Sequence, residues 1–295
     1  MTLEIRETWA RTPDGQPLYI EDSGHGGPVI VCCNGIGVST FFWKYLREHF
    51  SREGRVVTWD YRGHGRSPVA DDLGTMTIAQ MADDAVTVMD HLGIDEAILV
   101  GHSMGCQVIL ETWRRHPARV QGLVPVLGTY GRPVRTFLGL SWLEDVFPKV
   151  LPWAMRLAGP IGRLNEGLVR GRLAYEFARR TGLISPCMAK AEDMDAYFEH
   201  LRRLDMRMFL SLMSDMAVHD TGDILGDIDV PTLIIGGERD LFTPLWLSRE
   251  MQSRIPDAEL LIIPDGSHAA LIEQPVLINL ALTDFLVRSG ILDPR

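Results

Sequence analysis

The chain has 295 residues, 46% hydrophobic and 23% charged, enough apolar content for one large buried core or two smaller ones. Its formal net charge of −10 argues against a nucleic-acid partner. No apolar run approaches the ~18 residues of a membrane span, so no integral membrane association is expected.

Met1-Thr2-Leu3-Glu4 and the residues that follow do not give a basic start leading into an apolar stretch, so no secretory signal is expected. Strands are predicted near 3–9 and 17–21, joined at Pro13-Asp14-Gly15 by a hairpin-type turn. Pro28 to Cys33 is a short continuous apolar run, as in a strand buried on both faces. Cys32 and Cys33 are neighbours there and should point to opposite faces as small buried hydrophobes. The four cysteines show no zinc-type spacing and suit a reducing cytoplasm. A helix over 40–50 and a strand over 55–59 follow.

Ile78, Met81, Ala85, Val88, Met89 and Leu92 recur at helical spacing. Ala97-Ile98-Leu99-Val100 then runs into Gly101-His102-Ser103-Met104-Gly105 and a helix-like run from Cys106 to His116, which Pro117 helps to end. A Gly-x-Ser-x-Gly match arises by chance in roughly one chain in eight of this composition, so the pentapeptide alone decides little. Strand, tight turn and helix in direct succession are the context of a nucleophile elbow, and Ser103 becomes the candidate nucleophile. Gly101 and Gly105 flank it because a Cβ at either position would crowd the turn.

A strand over 122–127 completes the first run of alternation, which implies right-handed crossovers in a mostly parallel sheet. The rhythm breaks over 133–220. Phe198, Leu201, Met208, Leu212 and Met216 are helically spaced there, alongside Trp142, Trp153 and Tyr175, and no strand run stands out. Such residues are more often packing than ligand contacts, and the arginines from Arg163 to Arg180 read as a solvated face. Alternation resumes with a strand over 231–235, a helix near 244–254, a strand over 259–263 and a closing helix near 270–288. The reading is one α/β core, 1–132 and 221–295, with an all-helical cap insertion over 133–220.

A serine hydroxyl needs an adjacent base, and a histidine base needs a carboxylate to fix its tautomer. Two predicted strand ends supply them: Gly236-Gly237-Glu238-Arg239-Asp240 and Pro264-Asp265-Gly266-Ser267-His268. Sites in parallel sheets gather at the carboxyl ends of strands, so Ser103, Asp240 and His268 should converge. Glu238, closer to its strand end, and Asp265 compete with Asp240 for the acid. Two backbone N–H donors for an oxyanion are expected from Met104 and from Ile36 in the Asn34-Gly35-Ile36-Gly37 loop. That loop is not a dinucleotide fingerprint, since Thr40 stands where a third glycine belongs. No cofactor and no metal is expected.

These stretches, together with Asp60-Tyr61-Arg62-Gly63-His64-Gly65-Arg66-Ser67, resemble the α/β-hydrolases of the lipase, esterase and lactonase group over nearly the whole chain except the middle segment. The resemblance implies a mostly parallel sheet flanked by helices and an ester-cleaving Ser-Asp-His triad. His64 then lies in a turn beside the site with a structural role. Asn34, where histidine commonly precedes the oxyanion glycine, resembles the loop of intracellular polyhydroxyalkanoate depolymerases. Cys106 replaces a frequent third elbow glycine, and sensitivity to thiol reagents follows as an expectation.

The expected substrate is a small molecule, an ester, lactone or thioester of a largely apolar acyl group. Carbon–carbon bond hydrolysis, cofactor-free perhydrolysis and polymer cleavage use the same triad. A non-catalytic hydrolase-like binding protein is the alternative from another class.

Overall fold

The computed structural model describes residues 5–24, 26–135, 142–160, 183–185 and 191–293, with single positions at 162, 176, 178 and 180. Leu3 and Glu4 of the first predicted strand, Tyr175, Cys187 and most of the Arg163–Arg180 arginines lie outside the described residues.

Eight strands form one sheet: β1 (Arg6–Arg11), β2 (Pro17–Asp22), β3 (Val29–Cys33), β4 (Arg55–Trp59), β5 (Ala97–His102), β6 (Val120–Val126), β7 (Leu233–Gly237) and β8 (Glu259–Ile263). Their spatial order is β1-β2-β4-β3-β5-β6-β7-β8. β1 and β2 pair antiparallel, β2 joins β4 antiparallel, and every pairing from β4 to β8 is parallel. All six residues of β5 are buried, as a central parallel strand covered on both faces requires.

The helices of the core divide between the faces. On one face α2 (Ile78–His91) and α3 (Met104–Arg115) bury Met81, Ala85, Val108 and Ile109 with Cys33 of β3. On the other, α1 (Lys44–Phe50) buries Leu46 and Phe50 with Cys32. The two neighbouring cysteines thus sit in opposite layers, both fully buried, as the period-2 alternation of a strand dictates.

Between β6 and β7 the described chain holds three further helices, α4 (Leu143–Arg156), α5 (Ala191–Arg203) and α6 (Met206–Val218). Met208, Leu212 and Met216 of α6 pack into the same cluster as α2 and α3, so they are packing residues. The two ends of this segment lie side by side: Gly131 bridges Asp220, Arg132 N–H donates to His219 O at 3.1 Å, and Thr221 N–H to Tyr130 O at 2.9 Å. After β7 come α7 (Leu245–Arg254), then α8 (Ala270–Glu273) and α9 (Pro275–Arg288).

Two helices differ from their sequence expectation. The 40–50 helix begins with a tighter turn over Thr40–Trp43 before becoming α-helical at Lys44. The closing helix is split at Gln274, which sits at φ −127°, ψ 50°. Pro275 excludes the α region at the residue before it, and its own missing N–H suits the first position of a new helix.

The Asp60–Ser67 turn follows β4 and is held by buried polar groups. Asp60 accepts from Thr40 N at 3.0 Å and Arg66 N at 2.8 Å, while Ser67 Oγ donates to Asp60 O at 2.8 Å. Arg62, fully buried, is gripped by Asp84 on α2 and by Asp14.

Candidate active site

Ser103 is the last residue before α3 and carries φ 56°, ψ −117°, a conformation that costs a non-glycine residue on the order of 1–3 kcal/mol. The strain is held by close packing on both sides. A Cβ at Gly101 would lie 2.3 Å from Gly105 O, and one at Gly105 would lie 2.1 Å from Cys33 O. β3, β5 and α3 therefore meet with only backbone between them, and the corner turns Ser103 outward, half-buried.

His268 follows β8 and reaches Ser103 from the neighbouring loop. Its Nε2 lies 2.9 Å from Ser103 Oγ and its Nδ1 lies 2.8 Å from Asp240 Oδ2. Asp240 is buried and fully hydrogen-bonded: Oδ1 accepts from Phe242 N (2.8 Å) and Thr243 N (3.0 Å), and Oδ2 from Thr243 Oγ1 (2.7 Å). Those donors fix the carboxylate so that Oδ2 faces the imidazole, which puts the proton on Nδ1 and leaves Nε2 to accept from serine. The structure separates the competing carboxylates. Glu238 is exposed and accepts from Asp265 N at 3.0 Å, and Asp265 pairs with Arg239. Asp240 alone of the three meets His268.

The Asn34–Gly37 loop abuts this corner. A Cβ at Gly35 would stand 3.1 Å from Ser103 Cβ and 3.1 Å from His102 Nδ1. Asn34 anchors the loop from below, donating through Nδ2 to Trp59 O at 2.7 Å and accepting from Trp43 Nε1 at 2.6 Å. Ile36 lies half-buried between Gly35 and Gly37. Met104 opens α3, so its N–H has no acceptor within the helix.

His64 grips the same loop. Its Nδ1–H donates to Arg62 O at 3.0 Å, leaving Nε2 to accept from Gly37 N at 3.1 Å. Burial pushes its pKa down to about 4, against about 6.5 for an ordinary histidine. Between these values the unfolded chain binds the proton that the folded chain refuses. The resulting stabilisation is full above pH 6.5 and lost as pH falls through 4. Asp60, raised by burial to about 7, works in the opposite sense, so the test is a difference. His64→Phe should lose about 2–3 kcal/mol less stability than wild type between pH 7 and 4.5 in urea titrations. Parallel curves would exclude a neutral buried His64.

Two residues near the triad were not singled out by the sequence reading. His102, inside the elbow itself, is buried and donates its Nε2–H to His268 O at 3.0 Å. Burial holds it neutral, its pKa lowered to about 3. Phe242 stacks on the His268 ring at 5.1 Å and 24°. A polar residue ending a fully buried strand was the available signal for His102; nothing local marks Phe242.

The expected thiol sensitivity at Cys106 is overturned. Its side chain is fully buried, burial raises its pKa well above the ordinary thiol value, and Sγ donates to Gly101 O at 3.1 Å. Native protein treated with iodoacetamide and mapped by peptide mass should show Cys106 unmodified, and modified only after denaturation. Rapid modification in the native state would contradict this packing.

A strained serine corner, an imidazole and a buried carboxylate meet at the carboxyl edge of a parallel sheet. The chain belongs to the α/β-hydrolase fold family, whose model matches residues 28–275. It is 30% identical over 280 residues to a protein of Variovorax paradoxus that carries the name carbamate hydrolase RutD, covering 92% of this chain and 97% of that one. Among solved structures, a thermophilic esterase from Thermogutta terrifontis superposes with TM-score 0.75 at 24% identity, over 96% of this chain and 99% of that one. Est816, described as an N-acyl homoserine lactone degrading enzyme, superposes with TM-score 0.71 at 25% identity, over 94% and 100%. Among the described residues no helix is long and apolar enough to cross a membrane.

Proposed function

We propose that this chain is a serine hydrolase that cleaves a carboxylic ester, lactone or thioester of a largely apolar acyl group. The observation that carries the reading is the unbroken hydrogen-bond chain from Ser103 Oγ through His268 to Asp240. His268 Nε2 takes the serine proton as Oγ attacks the carbonyl carbon. The N–H groups of Ile36 and Met104 hold the oxyanion, in a loop and a helix start that meet at Ser103. His268 then protonates the leaving group, and an acyl-enzyme remains. Water, deprotonated by His268, releases the acid and restores the serine. Asp240 keeps the imidazole in the required tautomer and balances its transient charge.

Residues 1–132 and 221–295 are the core in this reading, and 133–220 a cap over the site. The paired tethers at Gly131 and Asp220 support that division, since the two ends of the segment meet side by side. The cap's apolar content favours a medium-length or aromatic acyl group over a small polar one.

The carbamate hydrolase name of its Variovorax relative favours a second substrate, a carbamate, whose carbonyl the same serine would attack. The test is a panel of p-nitrophenyl esters from short to long chain, with a lactone, an acyl-CoA and an aryl carbamate. Turnover with a chain-length optimum supports the ester reading. Turnover confined to the carbamate selects the second, and none on any substrate excludes both.

A further inference from the structure

Glu273 closes α8, five residues beyond His268, and is a buried carboxylate with no part in the mechanism above. Its two oxygens face different parts of the molecule. Oε1 accepts from Ser185 N–H at 2.5 Å, in the segment between β6 and β7. Oε2 accepts from Ser267 Oγ at 2.8 Å, on the residue directly before His268. Ser267 Oγ in turn accepts from Ala269 N at 3.1 Å and has Leu183 O within 3.3 Å as a second acceptor. The backbone on both sides of His268 is thus tied to one hydroxyl, and that hydroxyl to the cap segment.

Building on the serine-hydrolase reading, we propose that Glu273 is a positioning residue that latches the 183–185 cap segment to the loop carrying His268, so that cap seating and the placement of the base are set together. A carboxylate suits the task because two acceptor oxygens on one rigid group can take an N–H from one element and an O–H from another. His268 is held by His102 through its carbonyl and by Asp240 through its ring, and neither contact fixes it relative to the cap. Ser267 and Glu273 supply that coordinate.

Glutamine is a discriminating substitute. Its carbonyl oxygen can keep the Ser185 N–H, and its NH₂ can donate to Ser267 Oγ, whose own proton then turns to Leu183 O. Both ends of the latch survive in Glu273→Gln and neither survives in Glu273→Ala. Ser267→Ala keeps the Glu273–Ser185 end and removes the hydroxyl's contacts to Glu273, Ala269 N and Leu183 O.

The test reads the rate at which a fluorophosphonate labels Ser103, a reaction that needs serine and base aligned but no knowledge of the natural substrate. Glu273→Ala and Ser267→Ala are each expected to label about tenfold more slowly than wild type, and the double variant no more slowly than either, since both cut one chain of bonds. Glu273→Gln is expected within about threefold of wild type. If Glu273→Ala does not fold, Ser267→Ala and Glu273→Gln carry the same comparison. Wild-type labelling rates in Ser267→Ala, or Glu273→Gln as slow as the alanine variants, would overturn the latch while leaving the serine reading intact. A wild type that does not label overturns both.

Discussion

Ser103→Ala is expected to lower turnover by about 10⁴-fold or more on any ester the wild type accepts, with the fold unchanged. The expected loss is large because in the proposed mechanism Oγ forms the covalent bond, and the groups around it converge on that one atom. His268 Nε2 lies 2.9 Å from it, and the strained backbone at φ 56° aims it away from the sheet. Removing Oγ leaves an imidazole oriented by Asp240 and the Asn34–Gly37 loop with nothing bonded between them. What remains is binding and electrostatic stabilisation of a slow attack by water. The fold should tolerate the change, since alanine keeps the Cβ and the lost hydrogen bond is worth about 1 kcal/mol. His268→Ala should cost a similar factor, and the double variant little more, because the groups act as a unit. Turnover above about a tenth of wild type in Ser103→Ala would remove it as the nucleophile.

Asp84→Ala is expected to destabilise the protein by about 3–5 kcal/mol, roughly 6–12 °C or more in Tm. Asp84 and Arg62 side chains are both fully excluded from solvent and meet in a two-pronged pair, at 2.6 Å (Nε to Oδ2) and 2.8 Å (Nη2 to Oδ1). Deleting the carboxylate strands a guanidinium inside the core, where it cannot lose its charge. Asp14 grips the far side, and the Arg62 contact holds its carboxyl down at about 2, so some compensation remains and the lower end of the range is expected. Asp14→Ala should cost less, because it leaves the buried pair whole. The effect should also reach the site. Arg62 O orients His64, and His64 holds Gly37 of the loop proposed to bind the oxyanion. Asp84→Ala should therefore lose activity below its melting transition. A loss under about 1 kcal/mol in chemical denaturation would show that the pair does not fasten this turn.

Much of the site was legible because its parts are local. The elbow is five consecutive residues between a strand and a helix, and apolar periodicity places both without tertiary information. The acid was ambiguous for a physical reason. Glu238, Asp240 and Asp265 all sit at strand ends, and only the turn through Phe242 and Thr243 buries Asp240 and points its Oδ2 at His268. Cys106 looked different in the sequence: family position suggested reactivity, while the structure buries it against Gly101 O and Val126 O. The closing helix looked continuous because its apolar pattern runs through Gln274, yet Pro275 breaks the backbone there.

The sequence by itself determined the alternation of strands and helices, the antiparallel start and parallel remainder of the sheet, the corner at Ser103 and the chain order of Ser103, Asp240 and His268. Each follows from period, turn chemistry or glycine sterics, which act over a few neighbouring residues. Only the tertiary structure decided which carboxylate faces the imidazole and that His64 and Asn34 anchor the Asn34–Gly37 loop. It alone tied His102 and Glu273 to the loop bearing His268. Most of those contacts join residues 25 to 166 positions apart. They depend on which side chains the packed core leaves facing one another, and no local pattern encodes that.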